Sequence, residues 1–452
     1  MSVAKLLERN VHRVSGKLQV SELFFEVPKD YSKPGDGSLR LFARSVERFE
    51  NPVELGKDGH MKLPWFVYLQ GGPGMPCRAP QHYAWTNTVL DKGYHILFLD
   101  QRGTGLSSTV TARTLARQGN PAEQAAYLKH FRADSIVRDC EAIRKNLTAE
   151  YPEGQRKWSI MGQSFGGFCS VNYLSRFPEG LREVFTCGGL PPLVKQPDEV
   201  YQKLCENVIK RNQAYYQKFP EDVKRAKDIL KVLEEKRIKL PTDGDMTAAR
   251  FVQLGFYFGF HGGMDTVHDI VLRCTSDLDQ FGFLTRPTLA ILDGILPFDN
   301  SVLYALIHEA CYCQGAASNW SAERMIAKYP QFHRDFPKTG KPLYFTGEMI
   351  FRHIYNSFPE LKALAETAEI LAEVDDWPDL YDEAQLAKNE VPVYSATYVD
   401  DMYVHFDYAR ETASKIKNCK HFITNVWYHD ALAGKSDELM KQLFALRDDV
   451  ID

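Results

Sequence analysis

The chain has 452 residues, enough for two domains or for one domain carrying a large insertion. Hydrophobic residues make up 44% and charged residues 25%, the balance of an ordinary globular protein with ample material for a core. A net charge of −4 gives no reason to expect nucleic acid or an anionic membrane as a partner.

In chain order, Leu23–Val27 and Leu39–Ala43 read as strands around the turn-rich stretch Pro28–Ser38. Trp65–Leu69 is a continuous apolar run that ends in Gly71-Gly72-Pro73-Gly74. A second run, His95–Leu99, ends in Asp100-Gln101-Arg102-Gly103-Thr104-Gly105. Continuous apolar strands signify burial on both faces, as in a parallel sheet. Ile136, Val137, Cys140, Ile143 and Leu147 recur at helical spacing. Trp158–Met161 is again strand-like and leads into Gly162-Gln163-Ser164-Phe165-Gly166-Gly167, after which a helical pattern stops before Pro178. This alternation predicts a doubly wound, mostly parallel α/β sheet.

From 193 to 387 the pattern turns helical and polar, with expected helices over Val200–Phe219, Glu221–Ile238 and Pro359–Val374. The last places Leu361, Leu364, Ala368 and Leu371 on one face. Strand patterns return at Val391–Tyr398 and His421–Val426, and a closing helix runs from about Asp437 to Leu446 with Ser436 as its N-cap. The expected organisation is a hydrolase core over 1–192 and 388–452, with a helical cap over 193–387.

Nine cysteines, odd in number and scattered, read as reduced thiols, and the lone C-x-C pair Cys311/Cys313 argues against a zinc site. Cys169 reads as a small packing residue. No cofactor or metal is expected. The N-terminal stretch lacks an apolar core of about 7–15 residues. No run of about 18 apolar residues occurs either, so no membrane is expected and the expected location is cytoplasmic. Self-association as a homo-oligomer is compatible with an enzyme of this size.

Gly162-Gln163-Ser164-Phe165-Gly166 matches G-x-S-x-G between a strand and a helix, the setting in which a sharp turn projects a nucleophilic serine. Ser164 is the expected nucleophile, and the N–H of Phe165 at the helix start is one expected oxyanion donor. Gly71 and Gly72, after an early strand, are expected to supply the second. The chain order of this fold is serine, acid, histidine. His421 begins the last strand and His405 comes too early, which leaves His429, after that strand, as general base. Asp400 and Asp401 both follow the strand ending at Val399, and residue chemistry alone does not separate them.

Taken together, the Gly71–Gly74 run, Asp100-Gln101-Arg102-Gly103-Thr104-Gly105-Leu106-Ser107-Ser108 and the Ser164 motif resemble the proline iminopeptidase family of serine peptidases. The resemblance implies release of an N-terminal residue, typically proline, from a small peptide with a free N-terminus. It favours Asp401 as the acid, because the family acid precedes Met or a similar residue, as in Asp400-Asp401-Met402. It also implies cap glutamates that bind the substrate amine, here Glu309 in Ile307–Cys313 first and Glu348 second. One departure is Asp430, where related sequences often carry a small residue after the histidine; a carboxylate there would raise the pKa of His429. The aromatic stretch Phe256–Phe260 is either core or pocket wall. An esterase or amidase on the same triad is the alternative enzyme reading, and a non-catalytic hydrolase-fold binding protein is the alternative of a different class.

Overall fold

A computed structural model describes residues 3–49, 63–333 and 335–449. The strands in chain order are β1 (Lys5–Val14), β2 (Leu18–Pro28), β3 (Ser38–Arg48), β4 (Trp65–Leu69), β5 (His95–Asp100), β6 (Trp158–Gln163), β7 (Leu181–Cys187), β8 (Ile238–Lys239), β9 (Asp245–Met246), β10 (Val393–Tyr398) and β11 (Cys419–Thr424). All but β8 and β9 form one nine-stranded sheet in the order β1-β2-β3-β5-β4-β6-β7-β10-β11. The pairings from β5 to β11 are parallel, and β1, β2 and β3 add antiparallel strands at one edge.

The continuous apolar runs serve both faces. Val67, Leu69, Leu97 and Leu99 enter one core cluster, whereas Phe66, Tyr68, Ile96 and Phe98 enter the other. That is the two-residue alternation of a strand with no solvent on either side. The helices Ala133–Leu147 and Phe165–Arg176 cover the first face, and Ser436–Asp448 covers the second.

Between β7 and β10 the described residues form helices joined by loops, with the short ribbon β8–β9 as their only strands, and their apolar residues join the first core cluster. The helix expected over Pro359–Val374 is split into Pro359–Lys362 and Ala365–Glu373 by a tight turn in which Leu364 N–H donates to Leu361 O at 2.9 Å. Leu361, Leu364, Ala368 and Leu371 are nevertheless all buried. Ser436 is the first helical residue and Lys435 holds the cap position. Among the described residues, no helix is long and apolar enough to cross a membrane.

Candidate active site

Ser164 sits between the end of β6 and the helix Phe165–Arg176, with φ 54° and ψ −124°. A non-glycine residue in that region is strained and is held there by its surroundings. The flanking glycines permit the crossing: a Cβ on Gly162 would collide with the Gly166 carbonyl, and one on Gly166 with the Leu69 carbonyl. The Ser164 N–H donates to Cys187 O at 3.1 Å, which ties the turn to β7.

The loops after β10 and β11 meet at this turn. His429 Nε2 lies 2.9 Å from Ser164 Oγ, and His429 Nδ1 lies 2.8 Å from Asp401 Oδ2. Asp401 is held from behind, its Oδ1 accepting the N–H groups of Tyr403 (2.8 Å) and Val404 (3.0 Å). Of the two adjacent acids, Asp401 is therefore the one the fold brings to the histidine. His405 instead caps the helix Phe406–Lys415, and His421 contacts Thr397 Oγ1 at 2.7 Å. The His429 imidazole is buried, which pushes its pKa down, but the nearby anions Asp401, Glu348 and Asp430 outweigh burial and hold it above the usual histidine value.

Phe165 begins its helix, so its N–H has no acceptor within that helix and points from the N-terminal end beside Ser164. Gly71 packs against the nucleophile: a Cβ there would lie 2.9 Å from Ser164 Cβ. Gly72 has φ 128° and lines the cavity in front of Ser164. The Asp100–Ser108 motif turns out to brace this loop. Asp100 accepts the N–H groups of Cys77 at 2.8 Å and Leu106 at 3.0 Å, and Gln101 Nε2 donates to Gln70 O at 3.0 Å. Arg102, 1% exposed, makes a bidentate pair with Asp139 at 2.7 and 2.6 Å.

A cavity of about 500 Å³ opens over Ser164 and is walled by both the sheet loops and the helical stretch. Phe256 and Phe260 line it, while Phe258 between them is fully buried in core, so the aromatic stretch is divided between the two roles considered for it. Phe260 stacks on Tyr403 (5.2 Å, 13°), and Tyr403 stacks on the His429 ring (4.4 Å, 30°). Tyr403 OH donates to Phe256 O, and His429 N–H donates to Gly259 O at 3.2 Å. The imidazole is thus clamped against the 256–260 segment.

Glu348 faces this cavity, its side chain 11% exposed. Tyr304 OH donates to it, and His308 Nε2 lies 3.5 Å from its Oε2. His308 is held in turn by Tyr201, at 3.1 Å from its Nδ1. Burial pushes the Glu348 carboxyl up, yet His308, Tyr304 and His429 together hold it below the usual range, which favours its ionised form. Among the described residues, no backbone N–H is bonded to it.

Glu309, the first choice from the sequence, does not line the cavity. Its carboxylate accepts the N–H groups of Ser321 (3.1 Å) and Ala322 (2.8 Å) at the start of the helix Ser321–Ile326. A helix start leaves such donors unsatisfied, and a buried carboxylate is drawn to them. Asp430 also lines the cavity; its Oδ1 accepts the His261 N–H at 2.9 Å and lies 2.6 Å from His261 Nδ1. Tyr304, Tyr403 and His261 were not singled out from the sequence. Tyr403 follows Asp401 by two residues, but nothing local says which ring it covers.

A family model described as the alpha/beta hydrolase fold matches residues 64–239. The chain is 49% identical over 449 residues to proline iminopeptidase aneH of Aspergillus aculeatus, covering 99% of this chain and 98% of that one. It is 38% identical over 441 residues to a proline iminopeptidase of Aeromonas sobria, covering 97% and 99%. A crystal structure of proline iminopeptidase from Mycobacterium smegmatis is a remoter likeness, at 13% identity and TM-score 0.41 over 93% of this chain and 96% of that one. On its near-complete match to the first two, the chain belongs to the proline iminopeptidase family of the α/β-hydrolase fold.

Proposed function

We propose that the protein is a serine aminopeptidase that releases an N-terminal residue, preferably proline, from short peptides. Ser164 Oγ attacks the first carbonyl while His429 Nε2 takes its proton and Asp401 holds the imidazole tautomer and balances the imidazolium. The N–H groups of Phe165 and Gly72, with Gly71 backing Ser164, receive the oxyanion. The imidazolium then protonates the departing amine, leaving an acyl ester on Ser164. Water, deprotonated by His429, hydrolyses that ester and frees the amino acid.

The observation that carries the reading is Glu348. An ionised, largely buried carboxylate facing the same cavity as the nucleophile suits a cationic N-terminal amine. In this reading residues 193–387 act as the cap over a core of 1–192 and 388–452, excluding N-terminally extended chains. Phe256 and Phe260 are among the walls available to a proline ring. The nine unpaired thiols suit a reducing compartment, and we assign the protein to the cytoplasm on that ground, which cell fractionation checks.

The test uses proline, alanine and leucine β-naphthylamides, each with a free and a blocked amine, beside Ser164→Ala. Release from the free-amine proline substrate, lost in the variant, is the expected result. Equal turnover of blocked substrates, or turnover of simple esters alone, would move the assignment to an esterase.

A further inference from the structure

The titratable side chains that line the cavity are Arg78, His82, Tyr68, Tyr83, Tyr304, Tyr403, Glu348, His429 and Asp430. Both carboxylates are engaged: Glu348 with Tyr304 and His308, Asp430 with His261. His429 belongs to the triad. Arg78 is different, since its guanidinium has no carboxylate partner among the described residues.

The backbone under Arg78 is pinned nonetheless. Its own N–H donates to Tyr83 OH at 2.9 Å, and the preceding N–H of Cys77 donates to Asp100 at 2.8 Å. A rigid stem thus carries a free head. Arg78, His82 and Ala84 are exposed while Glu348 is nearly enclosed, so the Arg78 end is the mouth and the Glu348 end the floor. Tyr83 and Trp85 line the same cavity.

We propose that Arg78, with His82 beside it, forms a subsite for the C-terminal carboxylate of the leaving fragment, so that the enzyme is built for free di- and tripeptides. The inference rests on the aminopeptidase reading above and deepens it. A short peptide is a zwitterion, with its amine taken by Glu348 and its scissile carbonyl at Ser164. An extended residue spans only about 3.5 Å, so its carboxylate emerges one or two residues past the nucleophile, toward the mouth. The planar guanidinium fork matches a carboxylate in two parallel hydrogen bonds, which a point charge does not.

The test compares Pro-Ala and Pro-Ala-Ala with their C-terminal amides, using prolyl β-naphthylamide as a substrate with no carboxylate. Wild type should prefer acid over amide by about tenfold in kcat/KM, the scale of a hydrogen bond to a charged group. Arg78→Ala should abolish that preference through KM, and Arg78→Lys should retain part of it. Fluorophosphonate labelling of Ser164 confirms that each variant is folded. Equal wild-type rates on acid and amide, or an Arg78→Ala variant that keeps the preference, would overturn the subsite. Failure of wild type on free-amine prolyl naphthylamide would instead remove the aminopeptidase reading beneath it.

Discussion

Two glutamates of the helical stretch, Glu309 and Glu348, are held by different means, and the carboxylates at the strand ends show which of them is the unusual one. Asp401 and Asp100 are gripped by backbone N–H groups supplied by their own or neighbouring loops. In the helical stretch Glu309 follows the same pattern, at the start of a helix. Glu348 does not: it is held by a tyrosine and a histidine, and it lines the cavity. Asp401 keeps Oδ2 for His429, whereas both oxygens of Glu309 are taken by backbone donors, which makes Glu309 a structural element. A carboxylate held by side chains over a cavity keeps capacity for a cationic ligand. The two glutamates, alike in the sequence, are separated by that distinction.

The comparison can be broken in four ways, from the largest expected effect to the smallest. Asp401→Asn should lower kcat by about 10⁴-fold, because the amide supports the wrong imidazole tautomer; steady-state kinetics on prolyl naphthylamide reads it. Glu348→Gln should lower kcat/KM for free-amine substrates by about 10²- to 10³-fold, the range for removing one member of an enclosed charge pair, and should spare blocked esters. If Glu348→Gln behaves like wild type on free amines, the contrast between the two glutamates fails.

Glu309→Gln should instead cost stability, about 1 kcal/mol by denaturant unfolding, and leave the free-to-blocked amine preference intact. The smallest effect concerns pH. His429 acts as a base only when neutral, so activity rises with pH through its pKa, which nearby anions hold above the usual value. Asp430→Asn removes one of those anions, destabilises the imidazolium and should move the acidic limb of the kcat/KM profile to lower pH. An upward shift would contradict the electrostatics of the site.

The sheet was legible where its residues were buried on both faces. Trp65–Leu69, His95–Leu99 and Trp158–Met161 are strands as read. β1 was not singled out, because its side chains are almost all exposed and it is held by its ladder to β2 rather than by an apolar pattern. β7, Leu181–Cys187, was also passed over, its charged start hiding a buried end. The last strand begins two residues earlier than its apolar run suggested.

What the sequence by itself determined is the part of this protein encoded in consecutive residues: the strand-turn-helix around Ser164, the glycine loop at 71–74, the family, and the order serine, acid, histidine. These are local because each depends on backbone geometry that a few neighbouring residue types permit or forbid. Residue chemistry left Asp400 and Asp401 open and the family resemblance favoured Asp401; only the tertiary structure decided which of two glutamates faces the cavity, and that Arg78 stands without a carboxylate partner among the described residues. Those are questions of what lies opposite a side chain, and the opposing groups come from segments up to hundreds of residues away, brought together by burial of the shared core rather than by any pattern along the chain.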